Sequence, residues 1–334
     1  MCMTFKLPAA QDGTVVAGRS MEFPMGMPTQ LAVLPRTFAG AATVPGGATP
    51  KTWTATHGVV GMGVFATDGW LVDGVNTEGV SAHVLYMGAG YCTYPAAAGD
   101  GSDLSQLDLV AYLLGTCRNL DEVQAAMAQV NVVGVDPGMG YVPPTHCLVH
   151  DRTGSLAIEF HPEGTRVVDN PVGLATNAPF LDWHLTNLGN YLGMSADNPP
   201  DEVAHGLTLT PLGQGEGLRG VPADYSPPAR FVRLFSVLGL LDQAADAHEA
   251  EMLAMHVLNA FDLPKGMIRE SFGAKVVPEV TVWDAVVNLT TPRYGYRMID
   301  NPETYVVDLA DVDFDPPARL QDLHWTGTFT PIAI

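Results

Sequence analysis

The order in which strand-forming and helix-forming segments follow one another is the feature of this sequence that most limits its fold. Short segments with the composition of β-strands fill the first third of the chain, separated by Gly, Pro, Asn and Asp. Two helical segments follow, then a hairpin, a second helical block and three closing strands. Because strands and helices come in runs and do not alternate as in βαβ units, the sequence predicts an α+β fold with antiparallel sheets covered by helices. A Rossmann domain is disfavoured.

These segments can be given by residue number. The predicted strands are 14–18, 31–34, 58–65, 80–86, 147–150, 156–160, 280–283, 294–297 and 305–307. Apolar residues at helical spacing begin at Leu107, and Asn119-Leu120-Asp121-Glu122 resembles a capping box that starts a second helix. Two later helices are predicted over 229–241 and 249–261.

Composition and charge limit the domain organisation and the partners. Of the 334 residues, 47% are hydrophobic and 16% are charged, and no linker, repeat or charge block divides them. We therefore expect one globular domain over residues 1–334. The 16 Lys and Arg against 36 Asp and Glu give a formal net charge of -20, which repels phosphate backbones and anionic membrane surfaces. The expected partner is a small molecule, with no nucleic acid and no membrane.

The amino-terminal residues and the cysteines bear on the compartment. No basic segment leads into an apolar one, and no run of 18 apolar residues occurs, so we expect a cytoplasmic protein. A periplasmic or exported location would follow instead if Met1 replaces a removed signal peptide. The four cysteines are too few and too scattered for a disulfide scaffold, and no C-x-x-C pair suggests zinc. Free thiols are expected.

Cys2 would become the first residue of the chain if Met1 were removed. Its α-amino group would then lie within a few ångströms of its own thiol. Such an amine has a pKa of about 7.7–8.0 and a free thiol one of about 8.5, so the amine can accept the thiol proton close to neutral pH. One residue would supply both a nucleophile and its base. A cysteine at position 2 is a weak signal alone, so the rest of the sequence has to support this interpretation.

Five further segments occur in the order of a known family. They are GRSMEF at 18–23, DGVNTEGV at 73–80 with the strand that ends at Tyr86, ATNAPF at 175–180, PADYSPPARFVR at 222–233, and VWDAVVNL at 282–289 with YGYR at 294–297. With Cys2 they resemble the choloylglycine hydrolase family, the bile salt hydrolases and penicillin V acylases among the N-terminal nucleophile hydrolases. Each motif is moderately specific, and their shared order along most of the chain makes the resemblance strong.

The resemblance implies a four-layer αββα sandwich, in which two antiparallel sheets lie between helical layers. It also implies a set of catalytic residues, which are Cys2, Arg19, Glu22, Tyr86, Asn177 and Arg230. Without the motifs, the two arginines would be interpreted as surface ion-pair residues, Asn177 as a turn residue and Tyr86 as core packing.

The implied roles describe an amide-cleaving hydrolase. Cys2 would attack the amide carbonyl to give an acyl-enzyme that water then hydrolyses. Arg19 and Arg230 would line the site and keep it electropositive. The side-chain N–H of Asn177 and the backbone N–H of Tyr86 would donate to the developing oxyanion.

Two parts of the resemblance concern the residues around the nucleophile. Asp73 and Asn76 would mainly shape the turn that presents the site. Glu22 stands where the family usually has Asp, and its expected role is to accept hydrogen bonds from the new α-amino group. Its side chain is one methylene longer, so it could shift that amine and alter its basicity.

The acyl side of the substrate is expected to be apolar. Residues near the site that offer an apolar, deformable surface are Met21, Phe23, Met25, Met27, Phe65 and Met87. The position of Tyr86 is Tyr in penicillin V acylases and typically Asn in bile salt hydrolases, which favours a penicillin V acylase. The alternatives are a conjugated bile salt hydrolase, an N-acyl homoserine lactone acylase, or a small-molecule binding protein on the same scaffold with Cys2 inert.

Other motifs point to no cofactor and no metal. His83, His146 and His150 have no ligand spacing and are interpreted as strand residues. The glycines of 213–217 lack the ending of a nucleotide loop, and the acids of 311–315 lack the pattern of a calcium loop. Family members commonly form homotetramers through an extension, which here corresponds to about residues 188–224, rich in Gly and Pro. A homo-oligomer is therefore expected.

Overall fold

The computed structural model of the protein describes residues 1–24, 28–88, 90–272 and 275–328. Its strands, in chain order, are β1 (Cys2–Lys6), β2 (Val16–Pro24), β3 (Thr29–Leu34), β4 (Ala39–Ala41), β5 (Thr52–Thr54), β6 (Val59–Val64), β7 (Leu71–Asn76), β8 (Ser81–Tyr86), β9 (Asp103–Ser105), β10 (Asn131–Val133), β11 (Thr145–His150), β12 (Ser155–His161), β13 (Gly164–Asp169), β14 (Leu174–Ala175), β15 (Glu202–Ala204), β16 (Leu207–Leu209), β17 (Arg269–Phe272), β18 (Lys275–Asn288), β19 (Arg293–Met298), β20 (Tyr305–Asp308) and β21 (Arg319–Gln321). The α-helices are α1 (Leu109–Thr116), α2 (Leu120–Met127), α3 (Leu181–Asn187), α4 (Pro227–Leu240) and α5 (Ala247–Asn259). Short 3₁₀ turns lie at Pro45–Gly47, Leu188–Asn190, Glu216–Leu218 and Leu309–Asp311.

Two large antiparallel sheets are stacked at the centre of the molecule. Sheet A has the order β14-β1-β2-β18-β19-β20, with β17 beside β18, and sheet B has the order β13-β12-β11-β8-β7-β6-β3-β21. Helix α5 packs on β2 and β18, and α4 packs on β14, whereas α1 packs on β6, β7 and β8. The two sheets face each other where β1 approaches β8 and β19 approaches β7. The predicted α+β, αββα architecture is confirmed.

Most of the predicted elements coincide with observed ones. The turn after β1, the hairpin of β11 and β12, the four main helices and the closing strands β18, β19 and β20 all lie where the sequence places them. The side chain of Asn119 accepts a hydrogen bond from the Glu122 N–H at 2.9 Å, as a capping residue should. Ser226 caps α4 in the same way, and Pro227 follows at its first turn.

The segment 73–80 differs from its prediction as a turn. Asp73 lies inside strand β7 and is fully buried, so the prediction that it shapes the turn is wrong. Asn76 does shape the turn, because its Oδ1 accepts from the N–H groups of Glu78 and Val80 while its Nδ2 donates to carbonyl groups at the end of α1. Gly79 has φ 81°, and a Cβ there would lie 2.1 Å from the carbonyl oxygen of Leu289.

The extension at 188–224 leaves the two main sheets and carries its own small hairpin of β15 and β16. Several of its apolar side chains are exposed, namely Leu192, Val203, Leu207, Leu209, Leu212 and Leu218. An apolar surface of this kind is typical of a contact with another protein surface.

Candidate active site

Cys2 is the first residue of β1, which lies in the interior of sheet A between β14 and β2. It pairs with Met21 of β2, and Thr4 pairs with Arg19, so these four side chains share one face of the sheet. Thr4 contacts His150 of sheet B, with 3.3 Å between Oγ1 and Nε2, which identifies this face as the inner one. The thiol is therefore held between the two sheets and is 3% exposed.

The thiol has a soft, weakly polar environment. Its Sγ lies 3.6 Å from the Sδ of Met21 and 3.9 Å from the carbonyl oxygen of Glu22. The same Met21 sulfur accepts a hydrogen bond from Nη2 of Arg19 at 3.1 Å. Arg19 thus reaches the thiol through Met21, and the charge of the thiolate is one of the interactions that favour the protonated guanidinium.

Arg19 crosses the space between the sheets. Its Nη1 forms an ion pair with Oδ2 of Asp73 at 3.0 Å, and its Nη2 also donates to the carbonyl oxygen of Val84 at 2.8 Å. The other carboxylate oxygen of Asp73 accepts from the hydroxyl of Tyr294 at 2.5 Å. Burial is the largest single influence on Arg19 and opposes its charge, but Asp73, Cys2 and Tyr294 together outweigh it, so the pKa of Arg19 is raised. The guanidinium is therefore charged and fixed in position.

Asn177 and Arg230 lie on the other side of Cys2. Oδ1 of Asn177 accepts from the backbone N–H of Cys2 at 3.1 Å and also from Nη2 of Arg230. Nη1 of Arg230 donates to the carbonyl oxygen of Cys2 at 3.0 Å. Burial lowers the pKa of Arg230, and Glu22 opposes that effect. Helix α4 thus carries one arginine that holds both the backbone of Cys2 and the amide of Asn177 in position.

The backbone of Tyr86 is oriented toward Asn177. The N–H of Met87 donates to the carbonyl oxygen of Pro144 at 2.9 Å, so these two residues form a hydrogen-bonded pair. Along an antiparallel ladder, hydrogen-bonded pairs alternate with non-hydrogen-bonded pairs. Tyr86, opposite Thr145, therefore turns its N–H and C=O away from β11. The pairing of β7 with β8 ends at Asp73 and His83, before Tyr86 is reached. The carbonyl oxygen of Tyr86 accepts from Nδ2 of Asn177 at 2.5 Å. The N–H of Tyr86 faces the side on which Asn177 lies.

The ammonium group of Met1 has an acidic partner that the sequence analysis did not find. It donates to the carbonyl oxygen of Glu22 at 3.0 Å and to the two carboxylate oxygens of Glu279 at 3.3 and 3.4 Å. Glu279 is 3% exposed and lies near the start of β18. A single acid directly before an apolar strand was the available signal for this residue.

Glu22 faces away from the thiol, on the opposite side of β2 from Met21. Its Oε1 accepts from the hydroxyl of Thr281 at 3.2 Å, and its buried Oε2 has no hydrogen-bond partner among the described residues. Burial raises the pKa of Glu22, against the opposing charges of Arg230 and the chain's amino group. With Met1 present, the ammonium group is hydrogen-bonded to Glu279. Oε2 of Glu22 therefore remains available to accept a hydrogen bond.

An apolar cavity of about 90 Å³ opens beside the thiol. Of the residues expected to bind an acyl group, it is lined by Met21, Phe23 and Phe65. Phe65 has φ 59°, a conformation that non-glycine residues adopt rarely and that occurs often at binding sites. Met25 and Met27 lie outside the described residues. Lining residues that the sequence analysis missed come from two loops and include Gln106, Leu107, Pro137, Met139, Tyr141 and Pro143.

A second cavity of about 220 Å³ lies on the other side of Tyr86. Met87, expected on the acyl side, lines this second cavity instead, together with Met1 and Asn177. Its acidic lining residues are Glu270 and Glu279. Burial and the neighbouring carboxyl of Glu279 raise the pKa of Glu270 to about 7. Tyr86 lines both cavities.

The four cysteines carry no disulfide bonds. Across the described ranges, no three His, Cys, Asp or Glu side chains are grouped in a way that could hold a metal ion. His83, His146 and His150 are buried strand residues, as predicted. Within the same ranges, no helix combines the length and the apolar character needed to cross a membrane.

The arrangement of an interior cysteine, buried arginines and converging amide donors agrees with a comparison against known families. Residues 3–322 match the family described as linear amide C-N hydrolases, choloylglycine hydrolase family. The chain belongs to the choloylglycine hydrolase family. It is therefore a hydrolase acting on linear amide C–N bonds.

Other members of the choloylglycine hydrolase family are similar along most of their length. A bile salt hydrolase/transferase of Clostridium perfringens is 26% identical over 324 residues, covering 94% of each chain. One from Lactiplantibacillus plantarum is 30% identical over 239 residues, covering 71% of this chain and 72% of the relative. A penicillin V acylase of Pectobacterium atrosepticum is 24% identical, covering 90% of this chain and 78% of the relative.

The solved structures show the same fold. A conjugated bile acid hydrolase from Clostridium perfringens superposes with a TM-score of 0.87 at 24% identity, and the match covers 100% of both chains. A penicillin V acylase from Agrobacterium tumefaciens superposes with a TM-score of 0.73 at 19% identity, covering 96% of this chain and 91% of the other.

Proposed function

We propose that this member of the choloylglycine hydrolase family cleaves the amide of an apolar acyl group with Cys2 as an amino-terminal nucleophile, after removal of Met1. The observation that carries the proposal is that Arg230 and Asn177 both bind the backbone of Cys2, while Asn177 also donates to the carbonyl oxygen of Tyr86. Removal of Met1 would convert the backbone nitrogen of Cys2, which donates to Oδ1 of Asn177 at 3.1 Å, into a free amine. That amine would take the proton of the thiol.

In the first half of the reaction, the thiolate sulfur of Cys2 forms a bond with the amide carbonyl carbon. The carbonyl oxygen becomes an oxyanion, which accepts from Nδ2 of Asn177 and from the N–H of Tyr86. The C–N bond then breaks, and the leaving amine takes the proton held by the α-amino group. In the second half, water attacks the thioester, the C–S bond breaks and the acid is released.

The arginines have separate roles in this proposal. Arg230 fixes Asn177 and the carbonyl of Cys2, so it is a positioning residue for the oxyanion donor. Arg19 reaches the thiol through the sulfur of Met21 and holds a positive charge near it. The acyl group of the substrate would lie in the apolar cavity lined by Met21, Phe23 and Phe65.

Conjugated bile salts are the first substrates to test, since the relatives named above that have the higher identity are bile salt hydrolases. The comparisons thus support the bile salt alternative more strongly than the penicillin V interpretation favoured by the sequence analysis. Penicillin V is the second candidate, because Tyr86 is the residue expected of that branch and a penicillin V acylase is among the more distant relatives. N-acyl homoserine lactones are the third.

Intact mass and two variants test the nucleophile. We expect the active protein to lack Met1, and Cys2→Ala to abolish turnover while its melting temperature stays close to that of the wild type. Cys2→Ser keeps a nucleophilic atom of similar size and should retain only trace activity. Full activity in a protein that retains Met1, or in Cys2→Ala, would contradict the proposal. Glycocholate, taurocholate, penicillin V and a long-chain acyl homoserine lactone assayed side by side then rank the substrate classes.

A further inference from the structure

Two cavities near the proposed nucleophile share Tyr86 in their linings. The apolar one is lined by Cys2 and Tyr86, and the second is lined by Tyr86 and Asn177, whose amide group is hydrogen-bonded to the carbonyl of Tyr86. A substrate amide held at the Tyr86 and Asn177 donors has its acyl part on one side and its amine part on the other. If the acyl group fills the apolar cavity, the amine part extends into the second one.

The second cavity is acidic. Glu279 is 3% exposed and Glu270 is half-buried beside it. The pKa of the Tyr86 phenol is raised, most strongly by burial and next by the negative charges of Glu270 and Glu279. Arg269 also lines the cavity, but its exposed side chain is screened by water. The buried carboxyl groups therefore dominate the field inside this cavity.

The protein's own chain already places a cation in this cavity. The ammonium group of Met1 lies 3.3 and 3.4 Å from the two carboxylate oxygens of Glu279. When Met1 is absent, the carboxylate of Glu279 keeps its burial and loses that partner. A buried carboxylate without a cation is unfavourable, so an incoming cation at this position is stabilised and an incoming anion is repelled.

We infer that Glu279 and Glu270 select the amine part of the substrate, so that amides of cationic amines are hydrolysed in preference to amides of anionic ones such as glycine or taurine. This inference rests on the proposed function and adds the charge class of the leaving amine. Glu279 is the main determinant, because it is the more buried of the two and holds the Met1 ammonium. Neither carboxyl takes part in bond breaking.

The test uses three amides that share one acyl group, cholyl or phenoxyacetyl, whichever the substrate assay finds hydrolysed. The amines are 2-(trimethylammonio)ethylamine, its uncharged isostere 3,3-dimethylbutylamine, and glycine. Comparison of the first two separates charge from shape. The enzymes are the wild type, Glu270→Gln, Glu279→Gln and the control Glu163→Gln, which removes an equal charge from an exposed side chain. Intact mass verifies that each protein lacks Met1.

We expect kcat/KM in the wild type to favour the cationic amide over its isostere by about tenfold, and the isostere over the glycine amide. Glu279→Gln should remove most of the preference for the cation, Glu270→Gln part of it, and Glu163→Gln none. A glycine amide hydrolysed as fast as the cationic one, or a preference unchanged in Glu279→Gln, overturns the inference and leaves the proposed function intact. No hydrolysis of any amide by the wild type overturns the proposed function itself.

A pH series gives a second readout. The groups that face Glu270 are Glu279, the chain's amino group, Tyr86 and Tyr141, with Arg269 at the exposed edge. With Met1 present, the pKa of Glu270 is raised to about 7, and loss of the Met1 ammonium removes a charge that lowers it, so Glu270 gains negative charge as the pH rises above neutrality. The preference for the cation over its isostere should therefore increase from pH 6 to pH 8 in the wild type. A preference that falls over this interval contradicts the inference.

Discussion

The guanidinium of Arg19 and the carboxylate of Asp73 form an ion pair between the two sheets, with 3.0 Å between Nη1 and Oδ2 and no exposed side-chain surface on either residue. The pair joins β2 of sheet A to β7 of sheet B. Tyr294 and the backbone N–H of Met62 both donate to the remaining oxygen of Asp73. The orientation of Arg19 beside the thiol thus depends on a residue in the opposite sheet.

Removal of Asp73 should destabilise the protein and also lower activity. Asp73→Ala leaves the buried Arg19 without its counter-ion, a change that typically costs about 3–5 kcal/mol of unfolding free energy. Tyr294→Phe removes one hydrogen bond to the same carboxylate and should cost about 1–3 kcal/mol. Urea unfolding gives both values. If Asp73→Ala and the wild type have the same free energy of unfolding, the ion pair makes no net contribution to stability.

Asn177 can be tested for its role as an oxyanion donor. Asn177→Ala should reduce kcat by about 10²–10³-fold, as for other oxyanion donors. Asn177→Asp keeps an acceptor for Cys2 and Arg230 but loses the N–H groups, so it should lose activity to a similar extent. Steady-state kinetics on the best substrate measure both. Near-normal kcat in Asn177→Asp would assign the residue a purely structural role.

Two buried histidines should make the fold sensitive to acid. Burial lowers the pKa of His83 to about 3 and of His146 to about 4. The unfolded chain takes up these protons near pH 6.5, whereas the folded chain does not, so folding free energy is lost as the pH falls below about 6.5. The melting temperature should fall from pH 7 to pH 5, and less steeply in His83→Gln. His248→Gln, on the exposed side of α5, is the control and should keep the wild-type slope.

The exposed hairpin of the 188–224 extension is proposed to hold a homotetramer together. Val203 and Leu207 are 73% and 64% exposed on this hairpin. Val203→Asp combined with Leu207→Asp should lower the molar mass measured by light scattering, because charge at an apolar contact is costly. Val306→Asp, at another exposed apolar residue, serves as the control. A wild-type protein that is monomeric at working concentration would refute the proposal.

Much of the fold follows from local sequence patterns. The layers and their order follow from the turn at 11–13, the cap at Asn119 and the runs of strands and helices. Each of these features depends on neighbours in the chain. Asp73 was misplaced because the family resemblance was interpreted as a turn over the whole of 73–80, whereas here burial and a partner in the other sheet keep the aspartate inside a strand.

The parts of the site that the sequence missed depend on contacts between distant segments. Glu279 meets Met1 across 278 positions of the chain, and neither residue carries a motif. The apolar cavity includes Tyr141 and Met139, which come from a loop rich in Gly and Pro without periodicity. The catalytic candidates were found because a family resemblance places them; composition alone would have left them as turn and surface residues.

The pairing of Cys2 with Met21 sets a strict limit on how the first hairpin can change length. Because side chains alternate between the two faces of a strand, one residue inserted between Cys2 and Lys6 would send the thiol to the helix-covered side, away from Arg19. Residues added within the turn at 11–13 leave every side chain of both strands on its original face of the sheet. Natural or engineered length variation in this hairpin is therefore confined to its turn, and a single-residue deletion in β1 is equivalent to loss of the proposed nucleophile.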